Sequence, residues 1–465
     1  MVTTVKERAM RKIKNVTEGN VYKNYLEYAA PLILSSILVS LYSTVDAVIA
    51  GKFISEHALG AISATSSFDI LFNSFFNGFS CGFSVYIAQL FGKREFAAIK
   101  QNVVNMAAFV AGISAIASVV AIVFRGTILD YLNIAPVLRK DAEIYFVIYT
   151  SGYLFSYVNM ILLRTLYALG TTAFSLLVSL LSAIINIAGN LVTVLVFDLG
   201  VAGLAYSTVF SVLIVTLIYV YMIVKAFGEL KSEPVCYRFR FALVKNSISY
   251  TLPTAIQKVA FHATGIFFAP AINGLGADAT TGYSVMKRMY NFCAQSFWNM
   301  CSAVDCHTAQ ALGAGNASQV RRGLKVGLWM NIAALTPFVL LFTVFAKPIS
   351  LMFFPTGYHG LALEYAIRFF EIYVVFLYIN MVGHLMHSYM RSIGRVITVL
   401  WITIFGSVVQ VVATLLLVPV FKMDGVYLGL IFSWMADGAL SVGVYFACYH
   451  TKEKIEKIAG KICRT

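Results

Sequence analysis

The feature that most constrains this chain is the recurrence of long apolar runs. Roughly twelve of them, each about 20 residues, occupy 26–50, 61–90, 103–124, 144–163, 172–196, 201–226, 247–272, 279–302, 326–346, 364–389, 397–420 and 426–449. Runs of that length can cross a hydrocarbon core. Lipid offers no partner to a backbone amide or carbonyl, so a spanning segment must be a helix or one strand of a closed barrel. A barrel would alternate apolar and polar residues, and these runs are continuous. Composition agrees, with 59% hydrophobic and 12% charged residues and a mean hydropathy of +0.80, outside the soluble range. The expected fold class is therefore all-α integral membrane, with twelve transmembrane helices. Nothing suggests a soluble partner domain or an organic cofactor.

Lys and Arg concentrate in short cytoplasmic loops. With twelve spans and both termini inside, roughly 24 of the 35 basic residues fall on the cytoplasmic side. They include Lys6 to Lys23, Lys93, Arg94 and Lys100, the loop Lys225 to Lys245, Arg321, Arg322 and Lys325, Arg391 and Arg395, and the tail Lys452 to Arg464. This bias and attraction to an anionic leaflet account for the net charge of +14, so no nucleic-acid partner is read from it. Seven cysteines lack metal-ligand spacing and read as reduced structural thiols. Residues 1–24 are polar and basic and give no cleavable signal peptide.

The polar connection "GELKSEPVCYRFRFALVKN" (228–246) divides the chain into an N-terminal six-helix lobe (1–227), a cytoplasmic loop (228–246) and a C-terminal six-helix lobe (247–465). The halves read as copies. "AQLFGKREFAAIK" (88–100) answers "AQALGAGNASQVR" (309–321), pairing Gln89 with Gln310, Gly92 with Gly313 and Lys100 with Arg321; "YALG" (167–170) answers "RSIG" (391–394); Pro31 answers Pro253. Six spans separate each copy from its partner, so the expected relation is a pseudo-two-fold along the membrane normal, with the substrate path at the repeat interface.

Several of these segments carry a family resemblance: Pro31 followed by Asp46 and Gly51, "GFSCGFSVYIAQLFGK" (78–93), "RTLYALG" (164–170), "IINIAGN" (184–190) and "LGVAGLAYST" (199–208). Over nearly its whole length the chain resembles MATE (multidrug and toxic compound extrusion) transporters, nearer the DinF-like branch. The resemblance implies two six-helix bundles, arranged as a V, that alternate between inward-open and outward-open states. It implies export of bulky, often cationic compounds in exchange for Na⁺ or H⁺, by a monomer in the bacterial inner membrane, with a small organic substrate and the bilayer as its partners.

Asp46, in "VDAVIAG" (45–51), is an acid inside an apolar span, six residues before Lys52. Asn186 and Asn190 lie one helical turn apart in span five, with Asn190 eight residues before Asp198, and Thr208 follows Gly200 by eight in span six. All four polar groups thus fall at similar depth in the outer leaflet. The resemblance assigns these positions to coupling-ion binding, with Asn190 standing where many relatives have Asp, and gives Pro31 a helix-bending role. One carboxylate, two amide carbonyls and a hydroxyl suit Na⁺ by the logic of hard-cation sites; equally, a lone carboxylate out of water can carry a proton. The structural alternative for Asp46 is a pair with Lys52.

The second lobe carries Gln257, Lys258, Arg288, Asp305 and Glu371 within or bordering its spans as a candidate cavity set. Lys258 or Arg288 could pair with Asp305 or Glu371 in a structural ion network. Asp69 in span two faces either the cavity or a neighbouring helix. His384 and His387 stand three apart without a third ligand, so no metal beyond a Na⁺ site is expected, and protonatable helpers are the better reading for these histidines. Phe68, Phe72, Phe75, Phe79 and Phe83 recur at helical spacing; they could wall a cavity that attracts organic cations through their π faces, but lipid-facing or helix-packing rings are the favoured reading. Two rivals remain. A lipid-linked oligosaccharide flippase of the same superfamily would use Lys258, Lys287 and Arg288 for pyrophosphate, and an intramembrane enzyme has only "VDCH" (304–307) to offer.

Overall fold

The computed structural model describes residues 13–49, 53–54, 56–132, 134–235, 237–354 and 357–462; the side chains of 41–48, 56, 57, 59, 64, 66, 67, 461 and 462 are not among those described. Twelve long helical segments follow one another among these residues. The first six are α1 (Val21–Ile49), α2 (Glu56–Gly92), α3 (Phe96–Val123), α4 (Pro136–Ser151 with Tyr153–Ala168), α5 (Ala173–Leu191, extended by a π-turn Val192–Val196) and α6 (Gly200–Glu229). Then come α7 (Phe241–Asn273), α8 (Ala277–Gly313), α9 (Ala317–Val344), α10 (Leu361–Arg368, continuing through turns at Phe369–Tyr373 and Val374–Phe376 into Leu377–Ser392), α11 (Val396–Phe421) and α12 (Met423–Cys448). No strand occurs among the described residues. Nine of the helices are long and apolar enough to cross a membrane, or ten if the two parts of α4, bent by 44°, form one span.

Helix α8 falls short of that apolar standard because Lys287, Arg288, Asp305 and His307 lie along it, yet Ala303 through Gly313 are all buried. It spans about 55 Å at 1.5 Å per residue and is wrapped by protein at this end, which is where a polar helix can sit in a bilayer.

The chain divides into two compact units, though not at a single point. Unit 1 comprises Met1–Asn15 and Ala30–Thr251; unit 2 comprises Val16–Ala29 and Leu252–Thr465. The sequence division places 16–29 with the first lobe, whereas this segment packs into the second unit, and the start of α7 packs into the first. Two of the three changes of unit fall within two residues of a proline inside a helix, Pro31 in α1 and Pro253 in α7. Proline removes a backbone donor and weakens the helix there.

The paired glutamines of the repeat show how these ends are held. In unit 1, the Tyr250 hydroxyl donates to Gln89 Oε1 at 3.0 Å, and Gly82 lets α2 approach the α7 backbone so closely that an added Cβ would stand 2.8 Å from Thr251 Cα. In unit 2, the Val16 amide donates to Gln310 Oε1 at 3.0 Å, the Tyr25 hydroxyl donates to the Gly323 carbonyl at 3.0 Å, and Asn24 Nδ2 bonds the Val16 and Glu18 carbonyls at 2.9 and 2.7 Å.

Lipid tails are as apolar as leucine, so helices associate here by close packing rather than by escape from water. In unit 1, Phe76 stacks on Tyr157 with ring centroids 3.8 Å apart, and Gly152, at the α4 bend, gives way to Val209 of α6. In unit 2, Met289, Phe297, Phe369, Phe370 and Tyr427 from α8, α10 and α12 form a fully buried core. The phenylalanines of α2 pack as expected: Phe83 is fully buried, and Phe79 is buried against Phe109 of α3.

Candidate functional site

In unit 1, α5 and α6 bring three of the four expected ion-site residues together. Asn186 is 2% and Asn190 1% exposed, on the face of α5 that meets α6. Asn190 Nδ2 donates to Asn186 Oδ1 at 3.2 Å, and Asn186 Nδ2 donates to Thr208 Oγ1 at 3.2 Å. The Thr208 hydroxyl donates to the Leu204 carbonyl at 2.9 Å, and Ser207 Oγ donates to the Asn186 carbonyl at 2.8 Å. Among the described residues, the chain Asn190–Asn186–Thr208 links two amides and a hydroxyl. Asp46 falls within α1, but its side chain lies outside the described residues.

Close approach of the two helices depends on Gly189. A Cβ there would collide with Ser207 Oγ and stand 3.2 Å from Ser207 Cβ. Gly189→Ala is expected to push Ser207 off the Asn186 carbonyl and cost about 1–3 kcal/mol, the usual scale of overpacking. A lowered unfolding temperature of the purified protein, together with weakened ion dependence of transport, is the expected pair of results.

Asp69 of α2 faces a neighbouring helix: the Tyr153 hydroxyl of α4 donates to its Oδ1. Tyr153 stacks on Phe72 at 5.8 Å and adjoins Tyr157 at 5.1 Å. Asp69 is thus fixed among aromatic rings.

In unit 2 the charged residues pair differently from the sequence expectation. Asp305 of α8 meets Arg391 of α10, Nη2 to Oδ2 at 2.8 Å, rather than Lys258 or Arg288. Ser392 Oγ lies 3.1 Å from the Asp305 carbonyl and 3.2 Å from Oδ1. Arg391, assigned from the sequence to a cytoplasmic loop, is buried in the last turn of α10 at 6% exposure. Glu371 does not join a buried cavity set. It is exposed and lines a surface cavity of about 590 Å³ with Lys347, Arg368 and Lys422, where Arg368 holds Asp424 in a two-point pair at 2.6 and 2.7 Å. Arg288 is exposed as well, because it lies on the outer face of α8. Gln257 is buried and donates from Nε2 to Thr403 Oγ1 of α11 at 3.1 Å, while Lys258 is half-buried beside it.

His384 and His387 have ring centroids 6.0 Å apart, and no group of three metal-ligating side chains occurs among the described residues. The His384 ring lies among Phe261, Phe297 and Trp298 at 5.7–6.0 Å. His387 Nε2 lies 3.2 Å from Oδ1 of Asp437, a residue the sequence reading passed over. The signal that could have found it is the one that marked Asp46, a single acid deep in an apolar span.

A profile of the MatE family matches residues 31–192 and again 253–416. The chain belongs to the MatE family. The two matches begin at Pro31 and Pro253, the positions paired in the internal repeat, and together they cover most of both bundles. This MatE chain is 25% identical to the probable multidrug resistance protein YoeA of Bacillus subtilis, over 84% of each chain. It is 24% identical to the multidrug export protein MepA of Staphylococcus saprophyticus, over 62% of this chain and 64% of that one. Its fold is similar to that of a point mutant of the Vibrio cholerae MATE transporter VcmN, with a TM-score of 0.85 at 14% identity, covering 92% of this chain and 96% of the other. Members of the MatE family are transporters with twelve membrane helices in two bundles, and this multi-pass chain is a transporter, not an enzyme.

Proposed function

We propose that this transporter exports organic, often cationic compounds across the bacterial inner membrane by alternating access, as a monomer with both termini in the cytoplasm. Na⁺ or H⁺ entering at Asp46, Asn186, Asn190 and Thr208 drives the exchange. The observation that carries this reading is the hydrogen-bonded Asn190–Asn186–Thr208 chain, whose two amides are buried. Three neutral oxygen-bearing side chains sit where helix spacing puts the depth of Asp46, and buried polar groups in a bundle mark ion paths. The names of the curated relatives, multidrug resistance and multidrug export proteins, support an organic substrate. Pro31 removes a backbone donor from α1 and weakens that helix fifteen residues before Asp46, the point at which bending of α1 would be expected.

In the second bundle, Gln257, Lys258 and the Asp305–Arg391 pair serve to organise the helices. The flippase reading is not favoured, since the curated relatives cited above are named for multidrug resistance or export. The test is uptake of a fluorescent organic cation into inside-out vesicles under imposed Na⁺ or H⁺ gradients, with a lipid pyrophosphate headgroup as competitor. Cation uptake driven by one gradient and indifferent to the headgroup supports the reading; headgroup-dependent behaviour without gradient-driven uptake overturns it.

A further inference from the structure

The surface cavity of unit 2 is lined from four helix ends. Helix α9 stops at Val344 and α10 starts at Leu361, while α11 stops at Phe421 and α12 starts at Met423. Spanning helices end where hydrocarbon gives way to headgroups and water, so the cavity lies at headgroup level. Its volume of about 590 Å³ is within the ~300–1,000 Å³ of clefts that take small ligands. Three basic and three acidic side chains line it: Lys347, Arg368 and Lys422 with Glu364, Glu371 and Asp424.

Arg368 and Asp424 cancel each other in their two-point pair. Two lysines and two glutamates remain, and among the described residues none of these four has a side-chain hydrogen bond or ion pair. A simple anion entering the cavity meets Glu364 and Glu371; a simple cation meets Lys347 and Lys422. A ligand that carries both charges satisfies all four. Lys422 is also the single residue between α11 and α12, and it holds φ at +51°, a conformation that favours glycine. A lysine is a costly choice for that turn, and strained residues gather at ligand-binding places.

The cavity borders an apolar surface. Phe421, which lines it, is 50% exposed, and Leu416 and Val420 before it on α11 are 68% and 71% exposed. Exposed apolar side chains on a spanning helix face acyl chains. A free zwitterion would leave that surface unused, whereas a lipid covers it. We propose that the cavity binds the headgroup of a zwitterionic phospholipid with a primary ammonium. The phosphate lies on Lys347 and Lys422, the ammonium on Glu364 and Glu371, and the acyl chains along α11. A primary ammonium has N–H donors for the two carboxylates, and a trimethylated one has none. With both termini in the cytoplasm, as proposed above, this is a lipid of the outer leaflet. The proposed function supplies only that leaflet, and the site shares no residue with the ion site.

The test is native mass spectrometry of the purified full chain in detergent, titrated with phosphatidylethanolamine, phosphatidylcholine or phosphatidylglycerol of equal chain length. Glycerophosphoethanolamine serves as a soluble competitor. The expected result is one ethanolamine lipid held about tenfold more tightly than either of the others. Lys422→Gly relieves the turn and removes the charge, so it should fold as stably as wild type yet hold that lipid about tenfold more weakly. Glu371→Gln should narrow the preference over phosphatidylglycerol by about tenfold. Glu371 is exposed, so its variant decides the matter if Lys422→Gly does not fold. A wild type that holds the three lipids equally overturns the site, as do variants that bind as wild type does. Displacement of the lipid by an equimolar amount of glycerophosphoethanolamine overturns the lipid in favour of a soluble zwitterion. The exporter reading fails separately, on gradient-driven flux, and none of these outcomes bears on it.

Discussion

Replacing Asp46 by Asn is expected to abolish gradient-driven transport while leaving a folded protein. The substitution preserves size and hydrogen-bonding capacity and removes the carboxylate, the charged member of the proposed first-bundle set. Asn186, Asn190 and Thr208 then offer only neutral oxygens, which neither hold a proton nor attract a cation out of water. A coupling free energy of about 1–3 kcal/mol links two sites by roughly 5- to 150-fold, and the loss of transport should lie at the upper end of that range. Measured under separately imposed Na⁺ and H⁺ gradients, the variant should respond to neither, while still binding the organic cation. Normal transport with an unchanged ion dependence would show that Asp46 has a structural role instead.

The second large effect is expected at Arg391. Arg391→Met leaves Asp305 without its guanidinium in the interior of unit 2, and breaking a buried pair by removing one partner costs about 3–5 kcal/mol. The unfolding temperature in detergent should fall steeply. Asp305→Leu combined with Arg391→Met should recover most of the loss, since an apolar pair of similar volume is often neutral or better. If the double variant is as unstable as the single one, the two residues serve separate networks. Ser392, whose hydroxyl also reaches Asp305, would then be the next residue to vary.

The elements most legible in the sequence were those fixed by length and hydropathy. Each of the twelve apolar runs contains the centre of one long helix, and the second match of the family profile begins at Pro253, the partner of Pro31. Gln89 and Gln310 were legible as a pair, though not as anchors of the start of α7 and the segment before α1. That packing depends on which bundle receives a helix end, and no local pattern encodes it. Asp305 and Arg391 are 86 residues apart, so their pairing is invisible along the chain, and the more central-looking Lys258 and Arg288 drew the assignment. Arg391 looked like loop charge because it stands beside a Gly-containing turn, yet α10 carries it inward by one last turn. In the first bundle, Asn186 and Asn190 were placed together by one helical turn, and their link to Thr208 followed from matching depth on two adjacent helices.

The central claim, an organic-cation exporter driven by an ion gradient, is tested most directly by one measurement on the unmodified protein. Purified full-length chain is reconstituted into liposomes, and flux of a fluorescent organic cation is followed with a Na⁺ gradient alone and then with a pH gradient alone. The account predicts flux against the cation's own concentration under at least one gradient, collapsing when an ionophore dissipates it. Flux under neither gradient, or flux unchanged by the ionophore, would contradict it.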